Sequence, residues 1–206
     1  MTQLERVNPY FSVWLHPKRT TRYILQNKSF FFTMIIISVG FIGILLSLLV
    51  DSELYPTLPI WGIILLIIVL SPILGLLSNS LFALELWLIG KLFKGIGEYK
   101  DIFKAISLFN IPYVFMIPFY LIWLFIEPIS LFYDYENGMF FLPTIDLVLN
   151  FIITIWCLVI AIPIVSEVHN IPYWKSFFIL LISSLILLLL IIVPILIIII
   201  FTSVLL

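Results

Sequence analysis

The sequence predicts an all-α polytopic membrane protein, a five-helix transmembrane bundle with the N-terminus cytoplasmic and the C-terminus outside. Three observations carry this expectation. The 206 residues are 64% hydrophobic and 10% charged, with a mean hydropathy of +1.28, whereas soluble domains are about 45–50% apolar and about 25% charged. So few charges cannot cover a water-facing surface, so the apolar surplus faces lipid. The apolar residues fall in five runs of membrane-spanning length, and the basic residues all fall on one side of those runs.

The chain divides into an N-terminal cytoplasmic or interfacial segment, 1–29, and one transmembrane domain, 30–206. A bilayer core is about 30 Å thick and a helix rises about 1.5 Å per residue, so a span takes roughly 20 apolar residues. Span one covers 30–50, between Lys28 and Asp51, and has no small-residue cleavage site, so it reads as retained. The next apolar tract is too long for one span and too short for two. Ser71-Pro72 divides it into an interfacial or re-entrant segment, 60–70, and span two, 72–92. Spans three, four and five follow at 106–126, 147–166 and 176–206. Prolines 72, 112, 118, 163 and 194 interrupt these helices, and the closely spaced Pro112 and Pro118 mark span three as the bent one.

Lysine and arginine stay on the cytoplasmic side of membranes. Five spans place Arg6, Lys18, Arg19, Arg22, Lys28, Lys91, Lys94, Lys100, Lys104 and Lys175 inside, and Asp51, Glu53, Glu127, Asp134, Glu136 and Asp146 outside. Four or six spans would break this segregation. The net charge of −1 argues against nucleic acid as a partner, and the single cysteine, Cys157, allows neither an internal disulfide nor a cysteine-based metal site.

In the N-terminal segment, Asn8-Pro9 opens a short helix on which Tyr10 and Trp14, and Phe11 and Leu15, are spaced to form an aromatic face at headgroup level. Pro17 ends that helix, and Thr20 is placed to cap a second one carrying Arg22, Ile24 and Leu25. Lys18, Arg19 and Arg22 can meet anionic lipid or dock a protein.

The order of Asn8-Pro9, Trp14, His16-Pro17-Lys18-Arg19-Thr20 and Arg22 resembles the opening segment of bacterial members of the Yip family, the Ypt/Rab-interacting protein type. Gly97-Glu98-Tyr99-Lys100-Asp101-Ile102-Phe103-Lys104, then Pro112, is similar to that family's connection between helices two and three. Ser166-Glu167-Val168-His169-Asn170, then Trp174-Lys175, is similar to its loop between helices four and five. Two features depart from the pattern: the usual glycine pair reads Gly95-Ile96-Gly97, and the long cytoplasmic domain of eukaryotic members is missing, so Rab binding is not carried over. The resemblance implies a non-enzymatic accessory or adaptor protein of the bacterial plasma membrane, supporting a membrane complex such as an ABC-type exporter. Its interface candidates are Asn8, Pro9, Trp14, Pro17, Lys18, Arg19, Arg22, Lys100, Lys104, Glu167, His169 and Trp174.

Among the intramembrane polar residues, Glu85 is the one ionisable side chain well inside a span. Such residues are functional candidates by default, here for proton or cation handling or an ionic latch; alternatively the carboxyl is protonated, hydrogen-bonded to neighbours or wetted from the interface. Ser71, Gly75, Ser78 and Glu85 form one stripe on span two, and Asn150, Thr154, Cys157 and Ala161 another on span four. Small polar stripes permit close helix approach, so the two are expected to pack together. His16 and His169 sit in no zinc-binding arrangement, and no nucleophile elbow or phosphate loop is present, so neither enzyme chemistry nor a cofactor is expected. A small transporter or channel using Glu85, and a lipid-interacting membrane-organising protein, remain the alternatives to the adaptor.

Overall fold

The structure, a computed structural model, describes residues 7–133 and 141–205. Arg6, Asp134 and Glu136 lie outside the described residues. Helices α1 (Pro9–Leu15) and α2 (Pro17–Asn27) precede span one, α3 (Phe30–Ser47). Span two is α4 (Ile60–Leu92). Span three is broken into α5 (Tyr99–Ile106), a 3-10 turn (Ser107–Asn110), α6 (Ile111–Val114) and α7 (Ile117–Ile126), with α8 (Pro128–Phe132) folded at its end. Spans four and five are α9 (Phe141–His169) and α10 (Tyr173–Leu205). Five helical stretches among the described residues are long and apolar enough to cross a membrane, which makes this a multi-pass membrane protein.

The tract divided above at Ser71-Pro72 is one continuous helix of 33 residues. A proline inside a helix leaves the carbonyl four residues earlier without a donor. Here that carbonyl belongs to Ile68, and the Ser71 hydroxyl donates to it at 3.4 Å. Membrane helices tolerate proline where serine or threonine satisfies the freed group, so the break expected at this proline does not occur. The helix is about 50 Å long and exceeds the hydrocarbon core, which it accommodates by tilt or overhang.

Span three breaks where its prolines cluster, and neighbours satisfy the break. The Ser107 hydroxyl donates to the Lys104 carbonyl at 2.6 Å, and buried Asn79 of α4 donates its amide to the Phe103 carbonyl at 3.1 Å. Gly40 and Gly43 of α3 let the broken segment come close, because a Cβ on Gly43 would run into the Tyr113 carbonyl.

This insertion also separates the two small polar stripes, which therefore do not pack together. Phe109 lies between α4 and α9: its ring centroid is 6.0 Å from that of Phe82, and its carbonyl faces the Cys157 thiol at 3.8 Å. Ser71 and Gly75 lie buried on α4, with Gly75 against Ile37 and Phe41 of α3, while Ser78 and Thr154 are exposed. Asn150 instead donates to Asp146 at 2.8 Å and to the Tyr120 hydroxyl at 2.9 Å, and that hydroxyl donates to Asp146 at 2.6 Å.

The close approach at Gly43 has a measurable sign. Gly43→Ala forces a Cβ into backbone and should destabilise the bundle by about 1–3 kcal/mol. Gly62→Ala meets only the Pro59 side chain at 3.5 Å, so helix propensity, worth about 0.8–1.0 kcal/mol, should leave it neutral or more stable. Thermal unfolding in detergent checks both.

Candidate functional site

The described basic residues lie at one end of the bundle, where α2, the α4–α5 connection, α5 and the α9–α10 connection meet. Each piece is positioned by its own local chemistry. Asn8 caps α1 by accepting the Tyr10 N–H at 3.1 Å, and Pro9 starts the helix where no donor is needed. His16 breaks the chain between α1 and α2, and Pro17 opens the second helix. Thr20, read above as a cap, is fully buried inside α2. Its hydroxyl lies 2.9 Å from both Ser12 Oγ and the His16 carbonyl, so it ties α2 back onto α1.

The hairpin of α1 and α2 packs inward. Trp14 sets its ring edge-on to Phe115 at 5.4 Å and lies 6.2 Å from Trp156 of α9. Arg22 donates from Nε to Glu167 Oε1 at 2.8 Å, its Nη2 lies 2.8 Å from the same oxygen, and Lys18 Nζ reaches Oε2 at 3.4 Å. Glu167 is thus the anchor of the N-terminal segment, with a side chain only 14% exposed. Lys104 donates to the Leu25 carbonyl at 3.0 Å, and Lys175 to the Phe93 carbonyl at 3.3 Å. Both cations sit at helix C-termini, where carbonyls lack partners and the helix dipole favours positive charge.

The ends of α4 and α9 are built alike. After α4, Lys94 takes a left-handed φ of 63°. Its N–H donates to Lys91 at 3.0 Å, and the Gly95 N–H reaches back to Gly90 at 2.8 Å. After α9, Asn170 takes a φ of 52°, and the Ile171 N–H reaches back to Ser166 at 3.1 Å. Helices commonly close through such a left-handed residue. The two caps are joined by the Ile96 N–H donating to the His169 carbonyl at 3.1 Å. The His169 imidazole, 1% exposed, fills the space left by Gly90, Gly95 and Gly97, and a Cβ on Gly90 or Gly95 would collide with it.

The sequence-derived candidates therefore separate into two groups. Asn8, Arg19, Lys100 and Trp174 are exposed, as are parts of Lys18 and Arg22. Pro9 and His169 are buried, Trp14, Pro17 and Lys104 are partly buried, and Glu167 is largely enclosed. His169 thus builds the end from within rather than lining its surface. Sequence reasoning missed Gly90 and Asn79, although the Gly90–Gly95–Gly97 spacing was a visible signal for the first. Glu85 lies on α4 facing Ser183 of α10, beside a cavity of about 610 Å³ that Ser78, Asn79, Asn110 and Tyr113 also line. Among the described residues no group of three His, Cys, Asp or Glu side chains is arranged to hold a metal.

Gly90→Ala should destabilise the protein by about 1–3 kcal/mol through overpacking, and His169→Ala should destabilise it through the cavity left behind. The double variant should recover part of the loss, because each change removes what the other offends. Unfolding in detergent measures the cycle, and strict additivity would show that the glycine is not there for the imidazole.

Among protein families, the Yip1 domain matches residues 11–203 of the chain. No curated protein and no solved structure matches it.

Proposed function

The chain belongs to the Yip1-domain family, and from that premise we propose that it is a non-enzymatic accessory or adaptor protein of the bacterial plasma membrane. Its basic end is the cytoplasmic docking face, and components of an ABC-type exporter are the candidate partners. The observation that carries this reading is the charge and rigidity of that end. Nine basic residues face Glu98, Asp101 and Glu167 among the described residues there, and Glu167 is already engaged by Lys18 and Arg22. Lys91 in the last turn of α4, Lys94 in the connection and Lys100 in the first turn of α5 are exposed around the paired caps. A preorganised cationic surface binds an acidic partner with little further ordering cost, and it accelerates encounter. Positive charge also favours the cytoplasmic side of a membrane, which supports the N-in, C-out orientation.

A second reading, a small transporter or channel, is favoured by one observation. Glu85 borders a mainly apolar cavity whose wall also includes Ser78, Asn79, Asn110 and Tyr113, and an ionisable side chain so placed within a span is the kind of group that marks substrate or ion paths.

Affinity purification of the tagged full chain in gentle detergent, followed by mass spectrometry, separates the two. The adaptor reading expects a stoichiometric membrane partner whose recovery falls about tenfold when Lys94 and Lys100 are both changed to Gln, and is unchanged in Glu85→Gln. Recovery lost in Glu85→Gln and kept in the lysine pair would move the functional centre to the cavity.

A further inference from the structure

The cavity that Glu85 borders, about 610 Å³, is bounded by α3, α4, the broken third span and α10. That volume falls within the about 300–1,000 Å³ of typical small-ligand sites. Its wall is mainly apolar, and four of the side chains in it are aromatic: Phe41, Phe82, Phe109 and Tyr113. We propose that this cavity binds a lipophilic organic cation, with the positive centre paired to the Glu85 carboxylate and the apolar body lying against the rings. The proposal rests on the transporter or channel reading only for its location; it gives that cavity a ligand class and requires binding, not movement across the bilayer.

Glu85 has no counter-charge of its own. Its Oε1 is buried with no hydrogen-bond partner, and among the described residues no lysine or arginine pairs with it. Ser183 of α10, which it faces, supplies a neutral hydroxyl. An ionised carboxyl in apolar surroundings is costly until a cation joins it. The other polar groups lean the same way. Asn79 and Asn110 direct their amide nitrogens to the Phe103 and Ser107 carbonyls at 3.1 and 3.3 Å, which leaves their oxygens, acceptors only, as the freer ends. A bare inorganic cation needs several oxygen ligands to replace its hydration shell, and a mainly apolar wall does not supply them. An organic cation brings its own apolar surface, and aromatic rings attract its charge through their quadrupoles. Phe82 and Phe109 form an angled pair on one wall, with centroids 6.0 Å apart and planes at 59°. Leu81 and Leu190, which line the cavity from α4 and α10, are 59% and 65% exposed. The cavity therefore opens toward lipid, and a cation dissolved in the bilayer enters sideways.

The test uses the full chain in phosphatidylcholine nanodiscs, with tetraphenylphosphonium as the probe and equilibrium dialysis of protein-free discs as the baseline. Wild type should show a single saturable site for this cation and none for tetraphenylborate, which has the same shape and the opposite charge. Glu85→Gln should weaken binding about tenfold or more, and Glu85→Asp, which keeps the charge, should recover part of the loss. Phe109→Leu, which removes a ring and keeps an apolar side chain, should weaken it about threefold or more. Glu53→Gln removes an exposed carboxylate in the α3–α4 connection and should leave binding within about twofold. Absence of a saturable tetraphenylphosphonium site in wild type overturns the proposal whatever the variants do, and leaves the adaptor reading untouched. Equal saturable binding of the borate, or unchanged affinity in Glu85→Gln, also overturns it, since the cavity would then be filled by shape alone. Saturable binding without flux above that of protein-free vesicles would sustain the site and count against transport.

Discussion

The Ile96 N–H donates to the His169 carbonyl at 3.1 Å, and this bond joins two helix ends that each close through a left-handed residue. The imidazole of His169 occupies what would otherwise be a void among Gly90, Gly95 and Gly97. Because α4 and α9 are separated deeper in the bundle by the broken third span, this junction fixes their relative position at the basic end. Glu167 lies two residues before His169, so the same junction sets where Lys18 and Arg22 find their counter-charge. The N-terminal hairpin is placed through that pair.

A second constraint governs the rest of the bundle. Every interruption of a helix within lipid leaves a backbone group that water cannot satisfy. In α4 the neighbouring Ser71 answers Pro72 locally, so the helix continues. In span three the gaps are larger and the help comes partly from another helix, through Asn79 to Phe103. Toward the opposite end, Asp146, Asn150 and Tyr120 satisfy one another across α9 and α7. These polar residues serve the backbone and one another, whereas Glu85 borders open space.

Much of the candidate site was legible in the residues, though in a different role. The stretches 97–104 and 166–170 were singled out by their order and family resemblance, and both lie at the junction. Their surface role was not legible, because exposure depends on what packs against them. His169 and Glu167 read as interface candidates in the loop between helices four and five, yet one fills a glycine-lined space and the other binds the N-terminal hairpin. The expected pairing of the Ser78 and Thr154 stripes failed for the same reason. Periodicity places residues on one face of a helix but does not say which helix that face meets.

By itself the sequence determined a multi-pass membrane protein, its five apolar spans and the bend in the third helix. These follow from solvation and backbone chemistry: apolar runs of bilayer length enter lipid, charges stay at its edges, and clustered prolines break a helix. Only the tertiary structure decided that Pro72 is bridged, that Phe109 separates α4 from α9, and that the basic N-terminal segment folds back onto Glu167. Those outcomes depend on groups distant in the chain meeting at hydrogen-bond and van der Waals distance, and a one-dimensional pattern carries no such distances.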